Sequence, residues 1–327
     1  MSMIFATFLG IGSLREVAQA IVSGVVAGSS YALLGVAFAL VLGVTGRFHF
    51  AFAIVYTFTA YVSAVVLDKW GLPLLPACLF GLAVGVVLGA TIEALVYRPL
   101  AARAGDNALL GVFVAALGLV IAGENFIRLV WGNNTRNMGG FPEHTYTIAN
   151  VNFTLLEATL VVLALVIGVG LTVVLNRTIL GQQIKAVRGN AEMAQAVGVD
   201  VRRIFLVVFA IGSLIGGIAA VFAGMRFAAA PDMGNTPVFY AFVVAFVAGV
   251  QRSPLVVVAV GFGIGVVESL STLWVSDNLS ALTVFGLLCV WLTVRVLPQA
   301  LRQLSGAMSR TNRAQTRARA SRASGAA

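Results

Sequence analysis

The chain has 327 residues, of which 60% are hydrophobic and only 10% charged, with a mean hydropathy of +0.99. A soluble domain carries about 25% charged residues, so this composition cannot build a water-facing surface and lipid must be the solvent. The net charge of +9 does not signal nucleic-acid binding. Arg302, Arg310, Arg313, Arg317, Arg319 and Arg322 all follow Pro298 with no acidic residue among them, which leaves +3 for the rest. No aromatic side chain interleaves with them to stack on a base, and a disordered basic tail on anionic headgroups accounts for 298–327.

In chain order, apolar stretches near 17–43, 50–67, 73–97, 108–131, 154–175, 203–226, 236–250, 255–275 and 280–297 predict eight or nine spans, because about 20 residues cross roughly 30 Å of hydrocarbon. The expected fold class is all-α: a polytopic transmembrane helical bundle over 1–297. Basic residues gather in alternate connections: Arg98 and Arg103; Arg177, Lys185, Arg188, Arg202 and Arg203; Arg252; and the tail. That asymmetry predicts a cytoplasmic C-terminus, and nine spans put the N-terminus outside unless Gly43–Gly46 breaks a helix within the membrane. Arg15 and Glu16 follow the first apolar stretch without a cleavage site, so no signal peptide is expected. Cys78 and Cys289 lie in separate apolar runs and read as packing residues, with no disulfide or metal. There is no G-x-x-x-x-G-K-[ST] and no H-E-x-x-H. The chain is therefore expected to be no enzyme and to bind no cofactor, leaving any ATP hydrolysis to another subunit.

The connection at 177–203 is the most informative. Leu180, Ile184 and Val187 make one apolar stripe of a short helix. Asn190 is placed to cap a second helix, with Glu192 in its first turn. Gly198 would end that helix with positive φ, and Asp200 would cap the next span. Two amphipathic helices thus form a knob; the plain alternative is an interfacial helix resting on headgroups. The arrangement of Glu192, Ala194 and Gly198 resembles the coupling segment of ABC importer permeases.

The likeness extends along the chain. Gly43-Val44-Thr45-Gly46, Tyr97-Arg98-Pro99-Leu100 after Glu93, Glu124–Arg128 before Trp131-Gly132, Arg177-Thr178, Leu180-Gly181 and Glu268-Ser269 resemble spaced signatures of the branched-chain amino acid permease family. The resemblance implies an inner-membrane importer subunit, working by alternating access with a second homologous permease, two ATP-binding subunits and an extracytoplasmic solute-binding protein. It also implies ATPase coupling through Arg188, Glu192, Ala194 and Gly198. Where the family shows Asn-Phe-Ala-His-Gly, this chain has His49-Phe50-Ala51-Phe52-Ala53, and a glycine-rich turn is replaced by 248–252, which leaves the solute open.

Candidates for the solute pathway are Gly43, Gly46, His49, Phe50, Phe52 and Glu268, because ionisable groups and broken backbone inside a membrane mark function. For His49 and Phe52 packing is the competing role, and for Glu268 an interhelical contact. Glu93 is expected to pair with Arg98, Glu124 with Arg128 four residues on, and Glu157 and Arg226 to be interfacial. Gly212, Gly216, Gly217 and Gly224, and the cluster Gly261, Gly263 and Gly265, read as close helix packing. Three other readings stay open: the same machinery importing urea, short amides or another small polar solute, a proton-coupled transporter using Glu124, Glu268 and His49, and a non-transporting membrane scaffold.

Overall fold

The structure is a computed structural model that describes residues 14–105, 108–142, 144–148, 151–274 and scattered positions between 282 and 293. The chain divides into two units, 1–281 and 282–327. In the second, the described positions between 282 and 293 are helical. Most of the expected ninth span at 280–297 and the whole tail at 298–327 lie outside the described residues.

Seven helices among the described residues are long and apolar enough to cross a membrane. They are α1 (Leu14–Thr45), α2 (Phe52–Trp70), α3 (Leu74–Thr91) with its extension, α5 (Ala108–Trp131), α6 (Leu155–Arg177), α9 (Val201–Phe227) and α11 (Pro254–Ser271). The extension of α3 runs through a π-helical turn, Ile92–Tyr97, into α4 (Arg98–Ala104). Between α6 and α9 lie α7 (Ile179–Gly189) and α8 (Ala191–Ala196), and α10 (Asn235–Ala248) precedes α11. The stretch expected to span at 236–250 yields a helix of 14 residues. At 1.5 Å per residue it falls short of a full crossing, and it stops where Gly249 takes φ +89°.

Helix α1 sits in the middle, with α10 and α11 on one side and α9 on another. Its contact with α11 is a backbone-on-backbone seam. Gly24 and Gly28 face Gly261 and Gly265, and a Cβ on Gly265 would collide with the backbone of both Gly24 and Gly28. Such seams supply dispersion contact that lipid tails cannot match. Gly265→Val is therefore expected to abolish recovery of a monodisperse solubilised protein, whereas Gly263→Ala, which points into open space, is expected to leave it intact. Equal size-exclusion profiles for the two would show that the seam is dispensable. Leucine and valine side chains on α3, α5 and α6 stand outward, as on Leu129, Leu165 and Val87, consistent with helices solvated by lipid.

The connections divide between two ends. A hairpin of β1 (Thr145–Ile148) and β2 (Val151–Thr154), paired Tyr146 to Phe153, marks one of them. Gln19 near the start of α1 exchanges two hydrogen bonds with Asn152 of that hairpin, at 3.0 and 2.9 Å. The arginine-rich connections collect at the other end. Helix α1 therefore runs from the hairpin end to the basic end.

Candidate functional site

The caps of the knob form as its sequence dictates, while Leu180 of the expected apolar stripe is only half-buried. Thr178 Oγ1 accepts from Gly181 N at 3.0 Å to start α7, whose buried face holds Gly181, Ile184 and Val187. Asn190 Oδ1 accepts from Met193 N at 2.9 Å and caps α8; Asp200 Oδ1 accepts from Arg203 N at 3.1 Å and caps α9. Gly198 has φ +91°, and the turn closes through Val199 N donating to Ala194 O and Gly198 N to Gln195 O, both 3.0 Å. Ala194 is buried and Glu192 exposed, while Met193 and Val197 at the tip are 70% and 79% exposed. Arg188 turns inward. Its Nη2 donates to Val250 O at 2.7 Å, and a Cβ on Gly43 would lie against Val250 O and Arg188 Nε, so this arginine braces the knob on the ends of α1 and α10.

The segment 43–52 is a helix end and not a break within a span. Helix α1 runs through Gly43 to Thr45, and Gly46 at φ +67° turns the chain toward α2. His49 is 2% exposed, with Nδ1 at 3.1 Å from the Tyr97 hydroxyl and its ring against Phe52 and Phe209. Phe52 fills the space left by Gly216. Half-buried Phe50, Phe48 and Phe242 join buried Phe38 in an aromatic cluster.

Glu93 is fully buried in the π-helical turn. Its short contact is to Arg47, which also lies over the Phe205 ring; Arg98, the expected partner, is second at 4.0 Å. Glu124 pairs with Arg128 at 3.6 Å as its spacing predicts, and also accepts from Asn235 Nδ2 at 2.6 Å, which ties α5 to α10. Glu157 closes a capping box with Thr154 and reaches Arg226 at 3.0 Å. The two expected interfacial charges are therefore one ion pair.

The candidate solute site is a cavity of about 410 Å³ in the hairpin-end half of the bundle, between α1, α2, α9 and α10. Tyr31, Tyr56 and Tyr240 line it, with Leu34, Pro237 and Arg226 among their neighbours. The Tyr31 and Tyr240 rings stack at 4.3 Å. Behind them the Tyr240 hydroxyl donates to Glu268 Oε1 at 2.8 Å. Of the expected pathway residues, only Glu268 is joined to this cavity, through Tyr240; Gly43, Gly46, His49, Phe50 and Phe52 lie away from its lining. The tyrosines escape sequence reading because they sit in spans that are apolar on every side, where an aromatic residue reads as packing.

A bundle of apolar helices around a solute-sized cavity, with a capped helical knob at one end, defines a multi-pass membrane protein of the permease class. The chain belongs to the family described as branched-chain amino acid transport system / permease component, which it matches over residues 20–294. Among its relatives is the high-affinity branched-chain amino acid transport system permease protein BraD of Pseudomonas aeruginosa, 26% identical over 291 residues, which cover 85% of this chain and 93% of that protein. Another is the corresponding LivH protein of Escherichia coli K12, 23% identical over 290 residues, covering 84% of this chain and 92% of that protein. The solved structure of PsaBC from Streptococcus pneumoniae in complex with Fab superposes with a TM-score of 0.48 and 13% identity, covering 88% of this chain and 95% of that one.

Proposed function

We propose that the chain is the membrane-spanning subunit of an ABC importer for branched-chain or related amino acids, working by alternating access in the inner membrane with the basic end and C-terminus cytoplasmic. The carrying observation is the knob in a chain that its family covers from 20 to 294. Its ends are capped, its base is braced by Arg188, and its apolar tip at Met193 and Val197 projects from the bundle. An apolar tip on a rigid mount suits docking into an ATPase groove better than lying flat on headgroups. The partners are a second permease, two ATP-binding subunits and an extracytoplasmic binding protein that delivers solute to the hairpin end. In this reading the cavity receives solute, and the phenylalanine cluster between it and the basic end closes the path in the resting state. Glu192, Ala194 and Gly198 shape the docking surface, while Arg188 transmits its movement to α1 and α10.

A proton-coupled carrier would need its titratable groups connected, whereas Glu124, Glu268 and His49 are held in three separate contacts. Leucine uptake into proteoliposomes holding the assembled subunits is expected to require ATP inside and to survive collapse of the proton gradient. The same proteoliposomes carrying a cysteine at Asn134 or at Ala191 test orientation: a membrane-impermeant thiol reagent should label these two from opposite sides, Asn134 from the binding-protein side. Uptake that follows the proton gradient without ATP would refute the importer reading.

A further inference from the structure

Glu268 is 8% exposed in α11, with one carboxyl oxygen held by Tyr240 and the other, Oε2, buried without a hydrogen-bond partner. A buried polar oxygen left unpaired is costly, more so when it is charged, and intramembrane carboxyls are kept where they meet a partner or a pathway. Glu268 is one hydrogen bond behind the cavity wall, since its partner Tyr240 lines that wall. The wall there is a stacked tyrosine pair with Tyr56 nearby, and aromatic faces attract cations. Among the described lining residues the charged one is Arg226, already paired with Glu157, so none of them offers a free cation to the carboxyl.

We propose that the cavity is a solute-binding site for a primary ammonium group, recognised by Glu268 with Tyr31 and Tyr240, and that it selects amine-bearing solutes over neutral amides and simple carboxylates. The inference rests on the importer reading for the traffic through the cavity, but the recognition is a property of this chain alone. An incoming ammonium can donate to the Tyr31 and Tyr240 oxygens at the cavity wall and lie against their faces, while the Tyr240 hydroxyl donates on to Glu268, so the carboxylate answers the positive charge through the tyrosine. The rest of the lining, with Leu34 and Pro237, takes an apolar body, and about 410 Å³ lies in the lower part of the ligand-pocket range of about 300–1,000 Å³.

The test is thermal stabilisation of the full-length permease in its purified complex with the ATP-binding subunits. The probes are L-leucine, 3-methylbutylamine and 4-methylpentanoate, which share a branched apolar body and differ in ammonium and carboxylate. A ligand that binds only the folded state raises the unfolding midpoint. Leucine and 3-methylbutylamine are expected to raise it, and 4-methylpentanoate and urea to leave it unchanged. Glu268→Gln keeps a carbonyl to accept from Tyr240, and is expected to weaken both amine responses by about 10-fold or more, the worth of a charge-assisted hydrogen bond. Three results would overturn the proposal: stabilisation by 4-methylpentanoate equal to that by leucine, undiminished amine responses in Glu268→Gln, or no response to any amine in the wild type. If Glu268→Gln does not accumulate, the wild-type analogue series decides alone. Amine stabilisation in a complex that shows no ATP-driven uptake would sink the importer reading and leave this one standing.

Discussion

Gly198→Val and Glu192→Lys are each expected to leave the permease in the membrane at near-normal level and to abolish ATP-driven uptake. Gly198 has φ +91°, where a β-branched side chain costs on the order of 1 kcal/mol or more. The strain would be relieved by opening the turn closed by the Val199 and Gly198 amides. That turn aims Met193 and Val197, so the tip is expected to leave the ATPase groove proposed for it while the spans, which the mutation does not touch, stay folded. Glu192 acts differently. It is exposed in the first turn of a capped helix, where a carboxylate favours the helix dipole by about 0.3–1 kcal/mol and a lysine opposes it. The reversal also places a positive charge on the docking surface. Co-purification with the ATP-binding subunits and uptake in ATP-loaded vesicles measure both effects. Wild-type uptake by both variants would return the knob to an interfacial helix and remove the physical support for coupling.

A large loss of stability is expected for Arg47→Ala. Glu93 is completely buried and depends on Arg47 for its close ion pair, with Arg98 only at 4.0 Å. Removing one partner of a buried pair costs about 3–5 kcal/mol because the remaining charge is stranded, whereas removing both often costs little. Arg47→Ala is therefore expected to lower the unfolding midpoint of the solubilised protein by more than Arg98→Ala, whose side chain is partly exposed. The double variant Arg47→Ala with Glu93→Ala is expected to recover much of the loss. A double variant no more stable than Arg47→Ala alone would show that Glu93 contributes through packing and not through its charge.

Both predictions concern the basic end, yet they differ in how far the sequence anticipates them. The caps at Asn190 and Asp200 and the positive φ of Gly198 are written in residues two or three positions apart, and local hydrogen-bonding chemistry decides them before any tertiary contact forms. The spans are legible for a similar reason: hydrophobicity summed over about 20 residues is a local property. The hairpin escaped notice because its two strands of four residues each are shorter than any reliable alternation, though Thr154 and Glu157 carry the capping-box spacing that begins α6.

Legible in the residues alone are the membrane class, the positions of the seven long spans among the described residues, the knob with its capped ends and the Glu124–Arg128 pair. Only the tertiary structure decided that Arg47 and not chiefly Arg98 answers Glu93, that Glu157 meets Arg226, that Arg188 faces inward, and that Tyr31, Tyr240 and Glu268 border one cavity. The physical reason is the medium. In water an amphipathic stripe announces which face of a helix turns inward, but helices solvated by lipid are apolar all round. Their rotational phase is then set by the glycine seams and aromatic insertions of neighbours distant in sequence.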